Sequence, residues 1–412
     1  MNAMESSVDM PERAETPEAV AKDPLPRSTL LILAVACGLA VANIYYNQPM
    51  LGQIADSLGR GAAGLVPTVT QLGYALGLLL LAPLGDRFDR RRVILIELAV
   101  LMVALVAAAM APRLSLLACA CLGIGITASL VQSIVPLAAH LAPPERRGQV
   151  VGTVMSGLLI GVLGARVLSG VVAQYFGWRA MFWIAAAMMV GLFGLLWRAL
   201  PSTEPSARLS YGRLLISLWA LWRDEPMLRE AAGTGGTLFG AFSVFWATLT
   251  LLLASPAYHL GPQAAGLFGL VGIVGALAAP VAGRLADHGG PRRVVGLAIA
   301  ITAVAYLIFL VGGGQSLAML IVGVLLLDLG VQSGQISNQA RIYTLQPQAR
   351  SRVNTVFMVT YFMGGALGSA LASVAWTHFG WLGVCVTGLL FCAAAAFIHL
   401  RAAGRRAAGF LR

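Results

Sequence analysis

Short polar breaks divide this chain of 412 residues into twelve apolar runs, each long enough to cross a bilayer. They lie near 28–51, 63–83, 93–111, 115–140, 148–173, 178–198, 227–254, 264–284, 292–312, 316–343, 351–374 and 380–400. A crossing takes about 20 apolar residues. Lipid offers no partner for free backbone N–H and C=O groups, so every run is read as a helix. With 58% hydrophobic residues, 11% charged residues and a mean hydropathy of +0.81, the chain lacks the polar surface that soluble domains would need. An all-α membrane protein is expected.

The formal charge of +11 does not point to nucleic acid, because the arginines are scattered through short turns rather than gathered on one face. They report topology instead. With both termini in the cytoplasm, 24 of the 28 basic residues fall on cytoplasmic segments, while Arg60, Arg113 and Arg179 fall outside and Arg166 lies within a span. This asymmetry places a multi-pass protein in a bacterial cytoplasmic (inner) membrane with both ends inside. Residues 1–27 carry six acids and several prolines, a composition suited to a disordered cytosolic tail. There is no basic start followed by a short apolar stretch, so no cleaved signal peptide is expected and the first span is retained. Residues 28–198 and 227–402 form the two bundles, 199–226 a cytosolic linker with an interfacial helix, and 403–412 a basic cytosolic tail. In the linker Leu214, Leu218, Leu221 and Trp222 recur at helical spacing, and Asp224-Glu225-Pro226 supplies a cap and a starting proline for the seventh span.

The two bundles repeat one another. Ala82-Pro83-Leu84-Gly85-Asp86-Arg87-Phe88-Asp89-Arg90-Arg91-Arg92 returns, altered, as Gly283-Arg284-Leu285-Ala286-Asp287-His288-Gly289-Gly290-Pro291-Arg292-Arg293, and Phe176-Gly177-Trp178 returns as Phe379-Gly380-Trp381. The charged turn resembles the loop between helices two and three of the major facilitator superfamily, Gly-x-Leu-Ala-Asp-Arg-x-Gly-Arg-Arg, with its weaker copy between helices eight and nine. That resemblance implies twelve transmembrane helices in two pseudo-symmetric six-helix bundles, and a secondary transporter that works as a monomer. It also implies gating roles for Asp86, Arg90 and Asp287 at the membrane edge, although Ala82 and Asp89 stand where the family has glycines.

An ionised side chain at mid-bilayer costs about 2.5–3.5 kcal/mol, so charges inside spans mark function. Two are read as deep. Asp328 heads a stripe in the tenth span with Gln332, Gln335 and Gln339 on the same helix face, and is the candidate proton carrier. Arg166 stands in Gly161-Val162-Leu163-Gly164-Ala165-Arg166-Val167-Leu168-Ser169-Gly170, which resembles the superfamily's exporter motif in span five, with the arginine in the proline's place. Arg166 either binds an anionic group or pairs with Asp328. Glu97, one turn into the third span, is expected to snorkel or to pair with the neighbouring arginines.

The first span ends in Asn43-Ile44-Tyr45-Tyr46-Asn47-Gln48-Pro49, which resembles the Tyr-Tyr-x-Gln-Pro run of exporters of the arabinose-efflux and nucleoside-efflux type. In the superfamily's layout spans one, four, seven and ten line the cavity, which makes Tyr45, Tyr46, Asn47, Gln48, Gln132, Trp246, Gln332, Gln335 and Gln339 the substrate-binding candidates. An aromatic belt at the outer interface is the alternative for the tyrosines.

No nucleotide-binding loop is present, no nucleophile and base stand together, and the five histidines at span ends lack metal-ligand spacing, so neither an enzyme nor a cofactor is expected. The five cysteines lie in apolar runs as small hydrophobes. The resulting expectation is a proton-coupled exporter (antiporter) of a small organic molecule or drug, working by alternating access. An importer or uniporter of the same fold is the alternative, and a non-transporting membrane sensor a more remote one.

Overall fold

A computed structural model describes residues 26–59, 62–143, 146–201, 211–272, 290–346 and 349–410. The described residues form helices and connecting turns, with no strand among them. The transmembrane helices are α1 (Arg27–Leu58), α2 (Ala62–Leu80), α3 (Arg90–Ala109), α4 (Leu114–Leu141), α5 (Arg147–Phe176), α6 (Trp178–Ala199), α7 (Pro226–Leu253), α8 (described over 262–272), α9 (Pro291–Gly313, its last turn widened over Phe309–Gly313) and α10 (Leu317–Ile342). Arg350–Phe410 is bent at Gly380 into α11 (350–379) and α12 (381–410). The expected tails at 1–25 and 411–412 lie outside the described residues, and helix continues to Phe410, into the stretch read as a basic tail.

The repeat is visible as geometry. Gly177 (φ 79°) and Gly380 (φ 59°) turn the chain between the last two helices of each half, in a backbone region that favours glycine. The tryptophan after each glycine then donates its indole N–H inward: Trp178 to Ser57 Oγ at 2.9 Å and Trp381 to the Phe309 carbonyl at 2.9 Å.

Successive helices run in opposite directions, so the start of α1 and the end of α12 lie at one end of the bundle, the terminal end. Charges mark that end. Glu230, near the start of α7, binds Arg292 at the start of α9 (3.0 Å) and Arg341 at the end of α10 (2.8 Å). Arg91 at the start of α3 donates to the Trp197 carbonyl at the end of α6 (2.6 Å). Asp89 caps α3 by accepting from the Arg91 N–H at 3.1 Å, which explains an aspartate where the resembling motif has glycine. The linker helix, Tyr211–Asp224, buries Leu214, Leu218 and Leu221 and exposes Ile216 and Trp219, as an interfacial helix should. Asp224, however, does not cap α7. Its carboxylate pairs with Arg223 at 2.7 Å, whose hydrogen bond holds it below the ordinary carboxylate range, while Pro226 opens the helix at its first position.

The described contacts between the halves run from the end opposite the termini to beyond the middle of α2. Gln71 on α2 donates to Ser369 Oγ on α11 (3.0 Å) and accepts from Ser243 Oγ on α7 (3.2 Å). The Tyr74 and Phe362 rings meet at 4.4 Å. A side chain at Gly170 on α5 would come within 2.7 Å of the Pro262 carbonyl oxygen on α8. Toward the terminal end an apolar cavity of about 390 Å³ is lined by Leu79 and Leu80 of α2, Val356 and Val359 of α11, and the linker helix.

Candidate functional site

The centre of the molecule is built from a tightened turn in α1. Pro49 has no N–H to give the Tyr45 carbonyl, which instead accepts from the Gln48 N–H at 3.2 Å. One turn earlier the Asn43 side chain bonds back to the Leu39 (2.8 Å) and Ala40 (3.2 Å) carbonyls. The span expected as a regular helix over 28–51 is therefore wound more tightly over Asn43–Tyr46 and runs on to Leu58. A similar tightening at Ser129–Leu130 interrupts α4 just ahead of Gln132.

Glycines bring α5 onto this turn. Gly157 and Gly161 lie directly against the backbone of Ala34 and Gly38, a separation that leaves no room for side chains. Arg166, just beyond Gly161 on α5, is thereby carried inward and is 1% exposed. Its Nε donates to Gln48 Oε1 at 2.9 Å, and its guanidinium lies 4.0 Å from the Trp246 ring centroid, 5.1 Å from that of Tyr45 and 5.6 Å from that of Phe242. A guanidinium held on aromatic faces in a dry site gains about 2 kcal/mol from each favourable stack. Arg166 Nη2 and Trp246 Nε1 are both enclosed without a hydrogen-bond partner.

Asp328 on α10 is 2% exposed, and its Oδ2 is likewise enclosed and unpartnered. It interacts with Arg166 electrostatically without forming a direct ion pair. One face of α8 borders both charges. A side chain on Gly269 would meet Arg166 Cβ at 3.1 Å, and one on Gly272 would meet Asp328 Oδ1 at 3.1 Å. The glycines at this helical spacing leave space beside each charge.

The other candidates divide. Tyr45, Gln48, Arg166 and Trp246 form one cluster spanning both halves. Tyr46 is 1% exposed inside the N-terminal half, and Asn47 donates to Thr70 Oγ1 at 3.0 Å, joining α1 to α2. Half-buried Gln132 lies beside the Tyr74 hydroxyl. Along α10, Gln332 is half-buried, Gln335 accepts from the Tyr361 hydroxyl at 3.2 Å, and Gln339 donates to Asn354 Oδ1 at 3.4 Å. The lower amides of the stripe thus engage α11. Arg90 donates to the Gly85 carbonyl at 3.0 Å and so braces its own turn. The Asp86 side chain and all of Asp287 lie outside the described residues.

Two readings need correction. Glu97 neither snorkels nor pairs with the arginines: it is 5% exposed and both its oxygens are enclosed without partners. Burial of charge is also not confined to Asp328 and Arg166, since Glu97 and Glu230 are each 5% exposed and Arg341 6%. Gln71, which ties α2 to both α7 and α11, was signalled only by being an amide in an otherwise apolar run.

An α-helical bundle in two pseudo-symmetric halves, with polar and charged groups gathered where they meet, defines a multi-pass membrane transporter. The chain belongs to the Major Facilitator Superfamily, whose family model matches residues 31–288 and again 231–409. It is 39% identical over 366 residues to the uncharacterized transporter YgaY of Escherichia coli O157:H7, covering 88% of this chain and 93% of that one. It is 38% identical to the transporter SCO4007 of Streptomyces coelicolor, over 87% of this chain and 84% of that one. A multidrug resistance protein B homolog of Mycobacterium tuberculosis is 26% identical, over 85% of this chain and 76% of its own length. Among solved structures, a bacterial homolog of the human lysosomal transporter Spinster, inward-facing and occupied, superposes with a TM-score of 0.74 at 16% identity, covering 92% of this chain and 97% of that one. Family and relatives alike are transporters, not enzymes.

Proposed function

We propose that the protein is a proton-coupled exporter of a small organic molecule, operating as a monomer by alternating access in a bacterial cytoplasmic membrane. The observation that carries this reading is the pair of buried opposite charges, Asp328 and Arg166, lying on the two halves without direct contact and each bordering the same glycine face of α8. A buried carboxylate with an unpartnered oxygen is costly unless it is neutralised, so Asp328 is suited to take up a proton and give it back. Protonation from the periplasm releases substrate outward, and deprotonation toward the cytoplasm resets the site.

The basic residues favour cytoplasmic termini, and the close approaches of Gly64 to Ser373 and Gly170 to Pro262 at the opposite end support a site that faces the cytoplasm. The bundles 28–198 and 227–402 are the moving bodies, with Arg90, Asp86 and Asp287 controlling the cytoplasmic edge. Substrate engages Tyr45, Gln48 and Trp246 together with the amides Gln132, Gln332, Gln335 and Gln339. Stacking and amide contacts suit a neutral or weakly polar solute, and the unpartnered Arg166 Nη2 and Trp246 Nε1 are donors for an acceptor group on it. The multidrug-type relative favours export. Uptake by the same machinery is the alternative.

The test is accumulation of a panel of labelled metabolites and drugs in a pump-deficient bacterium expressing the native chain or Asp328→Asn, with and without a protonophore. Export requires lower accumulation with the native chain, abolished by both perturbations. Higher accumulation establishes uptake, and unchanged transport by Asp328→Asn removes Asp328 from the coupling mechanism.

A further inference from the structure

We propose that Glu97 is a second proton-binding group, located in the half opposite Asp328 and linked through Tyr74 to the contact between α2 and α11. This rests on the proton-coupled reading above and extends it from one titrating site to two.

Glu97 lies on α3 and is 5% exposed, with both carboxylate oxygens enclosed and unpartnered. A carboxylate in that setting has no compensation for its lost hydration, and the neutral acid is the form such a site accommodates. The described arginines near α3 are bonded elsewhere or exposed. On α3 itself Arg90 bonds the Gly85 carbonyl, Arg91 the Trp197 carbonyl, and Arg92 faces Asp89. On the adjoining segments Arg87, Arg113 and Arg198 are exposed, and Arg179 donates to the Ala111 carbonyl at 2.9 Å. Tyr74 on α2 lies within electrostatic reach of Glu97, and His140 on α4, which packs against α3, has a partner of its own.

Tyr74 connects this carboxyl to the moving parts. Its ring lies 4.4 Å from Phe362 on α11, and its hydroxyl is beside Gln132, just past the tightened turn of α4. Gln71, one turn away on α2, bonds Ser369 on α11 and Ser243 on α7. Ionising Glu97 requires water or a donor to reach it, and Tyr74 is a group within electrostatic reach whose helix also contacts α11. A proton on Glu97 thus favours α2 seated against α11, and its loss favours their separation. The two acids would then titrate on the two bodies that move.

The test uses purified full-length protein in lipid nanodiscs and follows the infrared carbonyl band of protonated carboxylic acids through a pH titration. No substrate is needed. The exposed carboxylates add a band that titrates at about pH 4, so the readout is the component above that range: it should remain in Asp328→Asn, and adding Glu97→Gln should remove it. Absence of the band in Asp328→Asn, or its persistence after Glu97→Gln, overturns the proposal. Equal band amplitude in the native protein and Asp328→Asn instead counts against Asp328 as a proton carrier, so the two failures are distinguishable. Spin labels on the terminal ends of α2 and α11 supply a second readout: their distance should change with pH in the native protein and lose that response in Glu97→Gln. Should Glu97→Gln fail to fold, Tyr74→Phe leaves the carboxyl in place and should shift the band's titration midpoint, and an unmoved midpoint contradicts the link.

Discussion

Arg166 is the residue on which the site turns, because a guanidinium makes two kinds of contact at once: an edge hydrogen bond to Gln48 and a stacked face on Trp246. Lysine keeps the charge and loses both the planar face and the fork of donors. Arg166→Lys should therefore reach the membrane folded and transport at least about tenfold more slowly, since losing a desolvated stack of about 2 kcal/mol corresponds to roughly 30-fold. Native rates in Arg166→Lys would reduce the residue to a point charge. Asp328, Arg166, Gln48 and Trp246 were legible in the sequence because a polar or aromatic residue inside an apolar run has few structural uses. Glu97 was not. Its distance from the charged turn suggested escape to the interface, but the rotational position that points it inward is set by how α3 packs against its neighbours, which no local pattern records.

Among the elements, α1 and α5 decide where the site forms. Pro49→Ala would restore an N–H for the Tyr45 carbonyl, regularise the tightened turn and draw Gln48 away from Arg166. Transport should fall several-fold while the protein stays folded, and undiminished transport would show that the tightening is incidental. Gly161→Leu places a side chain against the Gly38 backbone and should cost about 1–3 kcal/mol through overpacking, read as a lowered melting temperature in detergent. Gly164→Ala, where a methyl meets nothing within 4 Å, is the neutral control. Eleven of the spans anticipated from hydropathy stand as helices, and the eighth is helical over its described residues, 262–272. The departures from regular helix in α1 and α4 were missed, even though Pro49 and the amides around it carry the cause, because apolar run length is blind to which carbonyls have lost their donors.

At the scale of the molecule, closure at the end opposite the termini makes a definite demand. Gly64 and Ser373 lie in close contact there, so in a background lacking the five native cysteines Gly64→Cys with Ser373→Cys should cross-link readily. Transport should stop while the link holds and return on reduction. Full transport by the cross-linked protein would exclude separation of α2 from α11 as part of the cycle. The pseudo-symmetric fold was visible in the sequence repeat, and Gly177 and Gly380 show why it could be seen: the same turn needs the same glycine in both halves. Where the halves meet was not visible, since Gln71, Ser243 and Ser369 lie far apart in the chain and share no motif.

Proton coupling through Asp328 is tested most directly by a pH-sensitive dye sealed inside proteoliposomes, with a substrate from the accumulation panel added outside. Antiport predicts internal alkalinisation as entering substrate drives protons out, seen with the native protein and absent with Asp328→Asn. Internal acidification would establish symport, and substrate entry with no change in internal pH would contradict proton coupling altogether.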